Sequence, residues 1–140
     1  MRIMALDVGE RRIGVALSDI LGITAQPLMT YNRADNNQKA DILGLCELIK
    51  KQEVEKLVVG LPKNMNNTIG FKAEEVQNFI KALQKEIDIP IEWVDERLTT
   101  VSAERTLLEA DVSRKKRKKV IDMMAAVLIL QTYLESHQGF

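Results

Sequence analysis

Apolar residues run unbroken from Ile3 to Leu6, and the chain then places an acid, Asp7, ahead of Val8 and Gly9. This predicts a buried strand over Arg2 to Val8, a turn at Gly9 to Arg12 and a return strand over Ile13 to Ser18, which together make a hairpin. A turn around Asp19 to Gly22 leads to a third strand near Ala25 to Tyr31, where Pro27 argues for an edge because it has no N–H to donate. After the polar loop Asn32 to Gln38, Ile42, Leu45, Cys46 and Ile49 recur at the i, i+3, i+4, i+7 spacing of an amphipathic helix. Leu57 to Leu61 is a short apolar run stopped by Pro62, the pattern of a central parallel strand. Lys63 to Gly70 reads as a loop rich in turn formers.

Val76, Phe79, Ile80, Leu83 and Ile87 mark a second helix, and Ile91 to Val94 a further strand that ends in Asp95-Glu96-Arg97. A third helix is expected from Thr99-Thr100 to about Ala110. The basic run Arg114 to Lys119 reads as a loop, and a last helix spans Lys118 to Glu135. The order βββαβαβαα predicts an α/β fold, a mixed sheet with helices on both faces. With no repeat, linker or second unit in the pattern, residues 1–140 are expected to form a single domain.

Composition changes this picture little. A 46% apolar and 29% charged chain is globular in type, and 20 basic against 20 acidic residues leave net charge silent on partners. The distribution is informative, because Arg114-Lys115-Lys116-Arg117-Lys118-Lys119 is an unbroken basic run. Cys46, the one cysteine, cannot form an internal disulfide, and its place on an apolar helical face predicts a core thiol. Trp93 is likewise expected in the core. Met1-Arg2 passes straight into a strand without the apolar region of a signal peptide. No apolar stretch approaches the ~20 residues of a membrane span, so a reducing cytoplasmic setting is expected.

The chemistry lies in the acids. Asp7 shares its strand face with Ile3 and Ala5, an apolar neighbourhood in which an ionised carboxylate needs a compensating partner. Taken alone it would cap the turn or pair with Arg11 or Arg12. Asp95 and Glu96 point to opposite sides if their strand continues, so at most one faces Asp7. Glu96 is favoured, with Asp95 the alternative. Asp122 has Ala125 and Ala126 one turn onward and Lys118 and Lys119 one turn back. It could therefore serve a site or simply pair with Lys118. Carboxylates from two strand ends and a late helix, with no supporting Cys or His pattern, point to a hard cation, Mg²⁺ or Mn²⁺. His137 is the sole histidine and lies near the chain end, which argues against zinc and against a nucleophilic triad.

Leu6-Asp7-Val8-Gly9 with Arg12-Ile13-Gly14-Val15-Ala16, then Gly60-Leu61-Pro62 with Asn64-Met65, then Asp95-Glu96-Arg97-Leu98-Thr99-Thr100, and finally Lys118-Lys119 with Asp122 and Ala125-Ala126 resemble the YqgF (RuvX) family. Its members are described as pre-16S ribosomal RNA nucleases and as Holliday-junction resolvase-like proteins. The resemblance covers the whole chain. It implies an RNase H-like fold with a five-stranded mixed sheet and a metal-dependent acidic site. Carried over, Asp7 is the first-strand ligand, Glu96 or Asp95 the second and Asp122 the acid of the last helix. The implied role is trimming the 5′ end of the 16S precursor. Asn66-Asn67 stands where relatives carry Asp-Gly or Asn-Gly, a change that a left-handed turn tolerates.

Arg114, Lys115, Lys116, Arg117, Lys118 and Lys119 are then expected to contact nucleic-acid phosphates. Arg12 and Arg97, which flank the acids, are expected to hold the scissile phosphate or to neutralise the acidic cluster. Two other readings compete with the RNA nuclease: a resolvase cutting four-way DNA junctions by the same chemistry, and a non-catalytic RNA-binding assembly factor. Asp-x-Gly before a hairpin also occurs in actin-like kinases, but those need two such domains. The sequence shows no decisive dimer surface, so monomer and homodimer are both compatible with it.

Overall fold

The computed structural model describes residues 1–62, 70–96 and 114–137, the side chains of 114–120 excepted. Among these residues, five strands form one sheet: β1 (Ile3–Val8), β2 (Arg12–Ser18), β3 (Ala25–Asn32), β4 (Lys56–Leu61) and β5 (Ile91–Asp95). Their spatial order is β3-β2-β1-β4-β5. The β1–β2 and β2–β3 pairs are antiparallel, whereas β1–β4 and β4–β5 are parallel. Among the described residues, three helices accompany the sheet: α1 (Gln38–Lys51), α2 (Phe71–Gln84) and α3 (Arg114–His137). None of the described helices is long and apolar enough to cross a membrane. The helix expected over Thr99 to Ala110 and residues 63–69 of the loop expected over 63–70 lie outside the described residues.

Strand alternation sorts the core into two layers. Met4, Leu6, Ile13, Val15, Leu17, Leu57 and Val59 pack with α1 and α2 residues such as Leu45, Ile49, Val76, Phe79 and Leu83. Ile3, Ala5, Ala16, Val58 and Val94 turn to the other face, where Ala126, Val127, Ile129 and Leu130 of α3 cover them. Helices therefore occupy both faces, as the βαβ pattern requires. Cys46 is buried in the α1 layer, and burial pushes its thiol pKa up, which disfavours the thiolate.

The β1–β2 turn is closed by the Gly9 N–H donating to the Arg12 carbonyl at 2.9 Å. Pro27 does lie in a strand with no second neighbour among the described strands. Opposite Val15 and Ala16 the β3 register slips, with Met29 and Pro27 as partners and Leu28 left over, a bulge beside the residue that cannot donate.

Two local expectations are corrected. Arg114 to Arg117 are not a loop: their backbone is the first turn of α3. Lys and Arg are good helix formers, and no Gly or Pro interrupts the run, so propensity outweighs mutual repulsion. Trp93 is not a core residue but is 40% exposed. It alternates with buried Val94 on β5, where the sheet's last described strand receives less cover from α2.

Candidate active-site cleft

Asp7 continues the face of Ile3 and Ala5 and so emerges on the α3 side of the sheet, at the carboxyl end of β1. Its partner across the hairpin is Gly14. A Cβ placed on Gly14 would collide with the backbone carbonyl oxygen of Asp122, so α3 rests directly on the strand where a side chain is missing. This close seat, helped by the small side chains of Ala5, Ala16 and Ala126 in the same layer, brings Asp122 to the cleft that Asp7 lines.

Gly60 does the equivalent for the third acid. A Cβ there would lie 2.7 Å from Glu96 Oε1 and 2.5 Å from the Ile129 Cδ1 methyl. Glu96, two residues beyond Val94, therefore occupies space that the glycine vacates. In a strand interior each glycine costs stability relative to a side chain that packs, which is consistent with a packing reason for both.

Asp7, Glu96 and Asp122 line one cleft of about 520 Å³ across the carboxyl ends of β1 and β4. In open sheets with parallel strands this is the edge where ligands bind. Asp95 closes β5 opposite Leu61 and does not line the cleft. Alternation explains the division, since adjacent strand residues face opposite ways.

Arg12 Nε donates to Asp122 Oδ2 at 2.8 Å, so the hairpin's second strand holds the helix acid. This contact offsets the charge of Asp122 and engages only the Nε of Arg12. Arg97 lies outside the described residues, as do the side chains of Arg114, Lys115, Lys116, Arg117, Lys118 and Lys119. Their backbone forms the amino-terminal end of the helix that carries Asp122.

The carboxylate donor set suits a hard divalent cation. Among the described residues, no three ligating groups stand close enough together to hold one ion. Asp122 gives one oxygen to Arg12 and keeps the other, which is left to face a ligand.

A second ion pair, absent from the sequence-based expectations, braces the opposite side. Arg33 Nε donates to Asp41 Oδ2 at 3.0 Å, and Arg33 Nη1 donates to the Gly9 carbonyl at 2.8 Å. The guanidinium lies 4.6 Å from the centre of the Phe79 ring. Asp41 is 1% exposed and also accepts the Ala34 N–H at 2.8 Å. The signal was present: Asp41 precedes Leu45 by four residues and therefore falls on α1's buried face. Replacing Asp41 by Ala would strand the Arg33 charge and is expected to cost about 3 kcal/mol in urea unfolding.

Known proteins resemble this chain in sequence and in fold. A protein of Clostridium acetobutylicum named "Putative pre-16S rRNA nuclease" is 56% identical over 136 residues, covering 97% of this chain and 99% of its own. One from Natranaerobius thermophilus with the same name is 58% identical over 135 residues, covering 96% and 94%. Among solved structures, T. thermophilus RuvC in complex with Holliday junction substrate superposes with a TM-score of 0.65 at 11% identity, covering 99% of this chain and 97% of that one. Fowlpox virus resolvase with Holliday junction DNA gives 0.58 at 13% identity, with coverage of 97% and 98%. At such identities the likeness speaks for the fold, which is RNase H-like. A family profile described as RuvX, Holliday junction resolvase, matches residues 1–136. The acidic cleft on this sheet thus sits in a chain that belongs to the RuvX family.

Proposed function

We propose that this protein is a cytoplasmic nuclease that hydrolyses phosphodiester bonds with Mg²⁺ or Mn²⁺ and processes the 5′ end of pre-16S rRNA in ribosome biogenesis. The observation that carries the reading is the convergence of Asp7, Glu96 and Asp122 on one cleft. It is supported by relatives more than half identical that bear the name of that nuclease. The whole chain acts as one domain in this reading.

Asp7, Glu96 and Asp122 would hold the ion. When bound, such an ion supplies activation of water and stabilisation of developing charge on the phosphate. The chain's own part is to fix the acids on rigid elements: Asp7 on β1, Glu96 just past β5 and Asp122 on α3. Arg12 keeps Asp122 in place and offsets repulsion among the acids before substrate arrives. Arg12 and Arg97 are assigned to the scissile phosphate, and Arg114 to Lys119 to flanking phosphates.

The test is cleavage of 16S precursor RNA by the purified protein during a metal titration. Activity is expected with Mg²⁺ or Mn²⁺, with loss in excess chelator and return when metal is restored. Equal activity in chelator would contradict the metal role.

A second reading, resolution of DNA junctions, is favoured by the family's description and by the junction complexes among its fold relatives. Matched assays on precursor RNA and four-way DNA distinguish the two. The first predicts cutting at the precursor's 5′ end, and the second predicts paired symmetric cuts by a dimer.

A further inference from the structure

The cleft has a second wall, which the acids do not use. Opposite Asp122, it is formed by α2 and by the segment between β3 and α1, and Arg33 and Lys72 are the cations that line it among the described residues. Lys72 is exposed on the first turn of α2 and makes no hydrogen bond or ion pair among the described residues. Glu75, three residues on and within helical pairing distance, lines the same wall but is not bonded to it. Arg33 stands behind them with a fixed geometry, gripped by buried Asp41 and by the Gly9 carbonyl, over the face of Phe79.

A polyanion entering this cleft meets Asp7, Glu96 and Asp122, with Glu10 also in the lining and Glu75 on the α2 wall. A bound cation would offset the first group for the phosphate being cut. The next phosphate along the strand needs its own positive partner, and on this side the cleft offers Lys72, with Arg33's remaining donors behind. We infer that the α2 wall is a subsite for a backbone phosphate flanking the scissile one, with Lys72 as its direct contact and Arg33 as the fixed charge beside it. This deepens the nuclease reading and rests on it. Such a contact recognises phosphate and not base or sugar, so single-stranded RNA and DNA should feel it alike.

The experiment measures binding of labelled single-stranded RNA, and of DNA of matched sequence, by fluorescence anisotropy across a salt titration. It is run with Mg²⁺ in an Asp7→Asn background so that strands stay intact. Lys72→Gln is expected to weaken binding several-fold at low salt and to lower the slope of log affinity against log salt by about 0.7, one phosphate's worth on a single strand. Glu75→Gln should shift affinity the opposite way, and Lys72→Arg should restore it. Opposite signs at two exposed positions one turn apart are not expected of a merely structural role. Unchanged binding in Lys72→Gln, with the parent protein still binding, overturns this subsite and leaves the nuclease reading standing. A loss seen on RNA alone overturns phosphate recognition. Failure of the parent to bind either strand overturns both.

Discussion

Replacing Asp7 by Asn is expected to abolish phosphodiester cleavage while nucleic-acid binding persists. The substitution keeps the shape of the side chain, removes the charge and replaces one acceptor oxygen by an NH2 donor. Asp7 is the acid that emerges from the middle of the sheet, with β2 on one side and β4 on the other. Neither Glu96 nor Asp122 can move into its place, because one is set by β5 and the other by the seat of α3 on Gly14. A loss of about a thousandfold in the single-turnover rate, about 4 kcal/mol of transition-state stabilisation, is the size expected if the carboxylate acts on the reacting centre. Single-turnover assays in Mg²⁺ and Mn²⁺, paired with a binding measurement and a thermal melt, separate lost chemistry from lost fold. Cleavage that survives the change would remove the acid from the site. Cellular function that survives while cleavage is lost would instead favour a non-catalytic assembly factor.

Gly14→Ala is the second large effect, and here stability and activity should fall together. The added methyl would meet the Asp122 carbonyl oxygen, which is backbone and cannot swing aside. Either β2 or α3 must shift, and overpacking of this kind costs about 1–3 kcal/mol, with the upper end expected for a backbone clash. Any retreat of α3 carries Asp122 away from Asp7. Displacement by about 1 Å is enough to lower catalysis about a hundredfold. Denaturant unfolding and the cleavage rate check the two parts. Gly60→Ala is a useful contrast, because its methyl would meet the Ile129 methyl and the Glu96 carboxylate, both ends of side chains that can rotate. Its stability cost should be smaller, and its damage should fall mainly on activity. Equal behaviour of the two variants would undermine the account of how α3 is seated.

Much of this arrangement is legible in the sequence. The face shared by Ile3, Ala5 and Asp7 was readable from alternation alone, as were the helix of Ile42, Leu45, Cys46 and Ile49 and the edge role of Pro27. Period follows from backbone geometry, and burial of apolar side chains then orients each element. Sequence pattern and structure part where local signals compete. Six consecutive cations look like a solvated loop, yet the same residues favour helix when nothing breaks them. Trp93 has the composition of a core residue but sits where the sheet runs short of cover.

Local pattern by itself determined the elements, their inward faces and the candidate acids, because these depend on neighbours within a turn or two of chain. Tertiary structure alone decided which acids share a cleft, that Glu96 and not Asp95 joins it, and that Arg12 holds Asp122 across a separation of 110 residues. It also decided that Asp41 anchors Arg33. The physical reason is that such contacts depend on how closely a helix approaches a sheet. Here that approach is set by Gly14 and Gly60, residues whose contribution is the absence of a side chain.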